Sequence, residues 1–140
     1  FMDPAENPFS AVEDEISLLK ANGANIIVVD FHAEATAEKE ALGFFLRDKA
    51  SLLAGTHTHI QTSDEKIFPE GLGYITDLGR CGSFFSVLGV NFEESVNGFV
   101  TSVPQHFKPA ENDCTIEGIF AEIEVSSGKT RKIERFRIFG

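Results

Sequence analysis

The sequence predicts an α/β fold in a single unit spanning residues 1–140, and three observations carry that expectation. Two short apolar runs, residues 25–31 and 50–55, flank a segment with helical periodicity, the strand–helix–strand order of a βαβ unit. Thr115 to Val125 alternates, with Ala121, Ile123 and Val125 on one face and Glu122 and Glu124 on the other, before Ser126-Ser127-Gly128-Lys129 turns into Thr130 to Phe139. That is the pattern of a C-terminal antiparallel hairpin. With 140 residues and 42% hydrophobic content, the chain is large enough to bury one core of ordinary size.

The elements follow in order. Ser10-x-x-Glu13 is a capping-box pattern, Val12, Ile16 and Leu19 follow at helical spacing, and Gly23 provides a stop, so residues 9–22 are expected to form an amphipathic helix. Residues 25–31 are almost continuously apolar and rich in β-branched side chains, as in a parallel strand covered on both faces, and His32 ends the run. Thr36 is the expected N-cap of a second helix with Ala37, Ala41, Phe44 and Phe45 on one face. Arg47 and Lys49 lie near its C-terminal end, where the helix dipole favours cations. Residues 50–55 supply the second strand. Beyond His59, Ile60-Gln61-Thr62, Lys66-Ile67-Phe68 and Gly73 to Asp77 read as short strands joined by turns. Gly79-Arg80-Cys81-Gly82-Ser83 reads as a surface loop, and Phe92 to Phe99 as a short helix.

Composition narrows the partners. Acidic residues outnumber basic ones 22 to 12, a formal net charge of −10, which argues against an extended nucleic-acid footprint. A small phosphorylated substrate stays compatible, provided a metal ion or a helix N-terminus supplies the local positive charge. No apolar run is long enough to span a bilayer and no basic segment leads into an apolar one, so no membrane partner is expected and the cytoplasm is the expected location. Cys81 and Cys114 are far apart in sequence and expected to be reduced. Neither has a neighbouring His or a Cys-x-x-Cys context that would make it a nucleophile, so no catalytic nucleophile is assigned. The chain begins Phe1-Met2-Asp3-Pro4, as a processed protein, a tagged chain or a fragment would.

Three of the four histidines fall where the two strands end: His32 in Asp30-Phe31-His32-Ala33-Glu34, and His57 and His59 in Gly55-Thr56-His57-Thr58-His59. A βαβ crossover brings both ends to one sheet edge, where open α/β sheets bind ligands. On an extended backbone, residues i and i+2 point to one side, so His57 and His59 are expected to converge, with Thr56 and Thr58 on the opposite side. Neutral imidazoles suit zinc, iron and manganese, and three of them could hold one ion with a position open for water. His32, His57 and His59 are therefore the candidate metal ligands. Asp30 and Glu34 are candidates for ligands, for acceptors behind a ligating imidazole, or for simple polar caps. Asp77, ending a strand-like run before a glycine, is a candidate for the same edge or for a turn start. His106 has no partner at ligand spacing, and Gly79-x-x-Gly82 is too short to mark a phosphate loop.

At these residues the sequence resembles a known family. Residues Asp30-Phe31-His32-Ala33-Glu34-Ala35-Thr36-Ala37-Glu38-Lys39, Gly55-Thr56-His57-Thr58-His59-Ile60-Gln61-Thr62 and Tyr74-Ile75-Thr76-Asp77-Leu78-Gly79 look like successive motifs of the YmdB-like bacterial metallophosphoesterases, a branch of the calcineurin-like superfamily. The resemblance runs through the whole chain. It implies a metallophosphoesterase-type α/β sandwich of two sheets flanked by helices, with two divalent metal ions (Fe, Mn, Zn or Mg) bridged by a hydroxide at the sheet edge. It also implies hydrolysis of small phosphodiesters, cyclic nucleotides among them, by in-line attack of that hydroxide. Carried over by position, His32 and His57 would bind one ion and His59 the other.

The resemblance also marks what is missing. The family's earlier motifs, an Asp near the first strand, a Gly-Glu-Asn and a Gly-Asn-His, do not occur here, so the chain looks like the C-terminal part of a metallophosphoesterase domain. Arg80-Cys81-Gly82-Ser83 stands where the family more often reads Met-Thr-Gly-Pro. Three histidines without bridging carboxylates would hold two ions poorly, so this chain alone is expected to be inactive. The alternative is a non-catalytic binding or regulatory module that keeps the fold. A half sandwich is further expected to expose apolar sheet surface and strand edges, favouring a homo-oligomer or association through that surface.

Overall fold

The computed structural model describes residues 6–111 and 113–140; the opening Phe1-Met2-Asp3-Pro4 lies outside them. The elements are α1 (Pro8–Ala21), β1 (Val28–His32), α2 (Thr36–Leu46), β2 (Leu52–Thr56), β3 (Lys66–Ile67), β4 (Gly73–Ile75), β5 (Cys81–Ser83), α3 (Phe92–Thr101), β6 (Cys114–Ile123) and β7 (Thr130–Phe139). One sheet has the order β1-β2-β4-β3 and the other β5-β6-β7. This is the α/β arrangement the sequence implies, βαβ unit and hairpin included.

Helix α1 starts two residues before the capping box. Asn7 is the N-cap, its Oδ1 accepting the Phe9 N–H at 2.9 Å, and Pro8 occupies the first turn, where a missing N–H costs nothing. Ser10 lies inside the helix. Asn7→Ala is expected to lower stability by about 1 kcal/mol, seen as a lower urea midpoint at unchanged slope; an unmoved midpoint would show that water replaces the cap. Past Ala21, Gly23 turns left-handed at φ +89°, so that the Ala24 N–H reaches back to the Leu19 carbonyl at 3.0 Å and closes the helix.

In α2, Thr36 is the first helical residue, and Ala35 holds the cap position without a side-chain bond. The buried stripe is Lys39, Leu42, Gly43 and Leu46 rather than the expected row, and Ala37, Ala41 and Phe44 face outward. The cause is a close approach: the ring of Tyr74 lies over Gly43, where a Cβ would come within 2.9 Å of it. That contact turns the helix about its axis. Leu42 and Leu46 then join Ile16, Ile27, Leu53, Phe68, Leu72 and Tyr74 in a core between the two helices and one face of the parallel strands.

Strands β1 and β2 pair in parallel, with Val28 opposite Leu52 and His32 opposite Thr56, and β4 pairs in parallel on the far side of β2. The central strand β2 is buried almost throughout. The expectation that the first strand is covered on both faces does not hold: β1 is an edge strand, and Val28 is 59% exposed. Val29 and Phe31 pack against the core below the helices, and Val28, Asp30 and His32 alternate to the other face. That face stays open at β1 because the hairpin lies along β3 and β4 instead.

The hairpin pairs β6 with β7 from Thr115 opposite Phe139 to Ile123 opposite Thr130. Thr130 joins it to the first sheet, donating its N–H to the Gly71 carbonyl at 2.8 Å and its hydroxyl to the Ser51 carbonyl at 2.6 Å. The glycine-punctuated segment expected as a loop contains strand β5, antiparallel to β6, because the hairpin presents an edge at Cys114 to Ile116 that it completes. Residues 60–62 are not a strand; Thr62 instead exchanges bonds with Asp77, donating its N–H to the carbonyl at 3.1 Å and accepting the Asp77 N–H on its hydroxyl at 2.9 Å. The helix expected at 92–99 forms as α3, capped by the Asn91 side chain. Among the described residues no helix is long and apolar enough to cross a membrane. Both cysteines are free and exposed.

Candidate metal centre

Parallel register places the C-terminal ends of β1 and β2 side by side, so His32 and the turn after Thr56 emerge on one edge, as a βαβ unit requires. There His57 Nδ1 lies 3.2 Å from His32 Nε2, and the two rings meet edge to face with centroids 5.0 Å apart. His32 Nδ1 is 3.1 Å from the Thr56 hydroxyl, which in turn donates to Asp30 Oδ1 at 3.4 Å. Thr56 shares the face of His32 because residues paired in register point the same way, and with the His57 ring also turned onto His32 the expected separation of Thr56 from His57 does not hold.

One assignment of protons satisfies the chain of contacts. Thr56 gives its only proton to Asp30, so His32 donates from Nδ1 to the Thr56 oxygen and accepts the His57 Nδ1–H on Nε2. With the proton held on Nδ1, the Nε2 lone pair would be open to a metal ion once the His57 N–H gives way. Asp30 acts here as the acceptor at the end of that chain. Glu34 is exposed and, among the described residues, makes no side-chain bond to the cluster.

The turn that carries His57 and His59 is not extended. Their φ angles are +135° and +63°, so the alternation argument that placed both rings on one side does not apply. The His59 carbonyl accepts from the Arg80 guanidinium at 2.9 Å, and among the described residues its ring bonds neither His32 nor His57. Among those residues no group of three or more His, Cys, Asp or Glu stands close enough to hold a metal ion. The donor set present fits two ligands of a coordination shell and does not complete one. His106 is exposed and belongs to no cluster.

What shapes the turn lies beneath it. Asp77, past the end of β4 on the same edge, is fully buried and accepts the Thr58 N–H at 2.8 Å and the Gly79 N–H at 3.0 Å. It also pairs with Lys39 at 3.2 Å, with side chains 0% and 1% exposed respectively. Lys39 Nζ donates a second bond to the Thr56 carbonyl at 3.0 Å. Burial alone would raise the Asp77 pKa; bonds from the Thr58 and Gly79 amides, the Thr58 hydroxyl and Lys39 more than offset it and hold the carboxyl below its ordinary value of 3.8. Asp77 is therefore a buried anchor for the histidine turn. Lys39 was missed by sequence reasoning, although one signal was present: it stands in register with Leu42, Gly43 and Leu46, and a charge within an apolar stripe calls for a buried counter-charge.

Comparison with known proteins shows the family and the fold. A protein of Bacillus subtilis (strain 168) named 2',3'-cyclic-nucleotide 2'-phosphodiesterase is 41% identical over 138 residues, covering 99% of this chain and 52% of that protein. A crystal structure of a novel phosphatase from Mycoplasma pneumoniae superposes with a TM-score of 0.85 at 36% identity, over 95% of this chain and 47% of that one. A crystal structure of a hypothetical protein from Thermus thermophilus gives 0.84 at 35%, over 99% and 53%. The chain spans about half the length of these relatives. The family model described as YmdB-like protein matches residues 1–136. On residues, fold and relatives alike, the chain belongs to the YmdB-like family.

Proposed function

We propose that this chain carries part of the active site of a metal-dependent phosphodiesterase acting on small phosphoesters such as cyclic nucleotides. The observation that carries the reading is the facing pair of imidazoles at the sheet edge, with His32 backed by Thr56 and Asp30. The phosphodiesterase name of the Bacillus subtilis relative supports the hydrolase class. In this reading His32 and His57 ligate one divalent ion and His59 a second, the remaining ligands coming from a part of the intact protein not contained in this chain. Bound divalent ions would supply charge neutralisation at the phosphate oxygens and a water ionised near neutral pH. The chain's own residues hold and orient: Thr56 fixes the His32 proton on Nδ1, and Asp77 fixes the turn that presents His57. The two free thiols suit the reducing cytoplasm that we propose as the setting.

The test is hydrolysis of a 2',3'-cyclic nucleotide by the intact protein loaded with manganese, with its metal content measured in parallel. His32→Ala, His57→Ala and His59→Ala are each expected to lower turnover by about a hundredfold or more and to reduce bound metal. The 140-residue chain alone is expected to show no turnover. An intact protein that binds no metal, or that keeps its activity without His57, would sink the reading. The second reading, a non-catalytic binding or regulatory module that keeps the fold, is favoured by the incomplete donor set among the described residues and predicts that this chain binds a nucleotide without consuming it.

A further inference from the structure

The backbone at His57 has a conformation that residues other than glycine rarely adopt, with φ +135°. Such a conformation persists only where its surroundings over-determine it. Two bonds do so here. The peptide plane preceding His57 ends in the Thr56 carbonyl, which Lys39 Nζ holds at 3.0 Å; the plane following it ends in the Thr58 N–H, which Asp77 Oδ2 holds at 2.8 Å. The same Oδ2 pairs with Lys39 at 3.2 Å, so the two grips are one buried unit attached to α2 and to the end of β4. Fixing both planes fixes both backbone torsions of His57, and with them the direction of its Cα–Cβ bond.

We propose that Lys39 is a positioning residue for the metal centre: together with Asp77 it clamps the two peptide planes flanking His57 and so holds that imidazole against His32. This rests on the metal-centre reading only for its catalytic consequence. Burying an ammonium is costly, and its second bond goes to the backbone of the turn instead of to a further carboxylate.

The experiment compares the wild-type chain with Lys39→Met by NMR. Expected for Lys39→Met are a His57 amide–Hα coupling that reports return to negative φ and loss of the nuclear Overhauser contact between the His32 and His57 rings, with the cross-strand contacts of the β1–β2 pairing retained. In the intact manganese-loaded enzyme the same change is expected to lower kcat by about ten- to a hundredfold with KM little altered. Ring contact and His57 coupling that survive the substitution would overturn the proposal, as would loss of the β1–β2 cross-strand contacts, which would make the change a general collapse of the edge. Because removing a buried cation endangers folding, His57→Gly serves as the second variant. Glycine takes the same φ freely, so a clamped, strained site predicts a higher Tm for His57→Gly than for His57→Ala, both of which lose the ring, and a lower Tm for the glycine variant overturns the strain on which the clamp rests. Imidazole signals of the intact protein that ignore added Zn2+ would count against the metal reading alone, since the torsion and Tm comparisons need no ion.

Discussion

Gly55→Ala is expected to unfold the chain or to cost about 4 kcal/mol or more, well beyond an ordinary core substitution. Gly55 sits in β2 directly beside the end of β4, and a Cβ there would overlap the Thr76 carbonyl oxygen and come within 2.8 Å of both the Thr76 carbonyl carbon and the Lys39 side chain. Lys39 could rearrange, but the Thr76 carbonyl belongs to a backbone fixed from both sides. Ala54 pairs with Ile75, the Leu78 N–H bonds the Gly55 carbonyl at 2.9 Å, and the Thr76 N–H bonds Asp64. Relief would need β2 and β4 to part at the place where the histidine turn begins. Urea denaturation followed by circular dichroism measures the loss; a decrease of under about 1 kcal/mol would show that the strands separate there at little cost.

Asp77→Ala is the second large effect. It leaves the Lys39 ammonium buried without a counter-charge and strips the acceptor from the Thr58 and Gly79 amides, a combination expected to cost about 3–5 kcal/mol at pH 7. Acid supplies an independent check on the sign. The folded-state pKa of Asp77 lies below 3.8, so its stabilisation is fully present above that value and fades as pH falls through the lower folded-state value. Wild type should lose this contribution only below about pH 4, and Asp77→Ala should lack that part of the acid-side slope. Equal stability of the two proteins at pH 7 would overturn the assignment of Asp77 as the anchor.

Both effects centre on a turn whose position was legible in the sequence and whose conformation was not. That His32 and His57 share an edge followed from two apolar runs and the handedness of a βαβ crossover, both properties of the local chain. That His57 and His59 depart from the extended backbone did not, because the cause is distant: Asp77 bonds Thr58 from 19 residues away and Lys39 bonds Thr56 from 17. The same distinction separates the other outcomes. The hairpin and α3 were readable from alternation and a cap residue. The rotation of α2 depended on Tyr74 reaching Gly43, and the exposure of β1 on where the hairpin lies, neither of which is written within its own segment. Asn7 was readable in principle, since Pro8 behind it marks the first turn of a helix more strongly than Ser10 does.

The bonds from Thr130 have a consequence for how the chain reaches its folded state. The histidine edge is built from contacts among residues 30–79, but the opposite ends of β2 and β4 are closed by a residue 79 positions beyond Ser51. Bringing such a distant segment home carries a larger loop-closure entropy than any step within the parallel strands. Folding should therefore proceed from the histidine edge outward, with the Gly71 carbonyl left to water until the hairpin docks and the Ser51 carbonyl, already bonded by the Gly73 N–H at 2.9 Å, gaining its second donor only then. During synthesis, the Gly71 acceptor waits until Thr130 has left the ribosome.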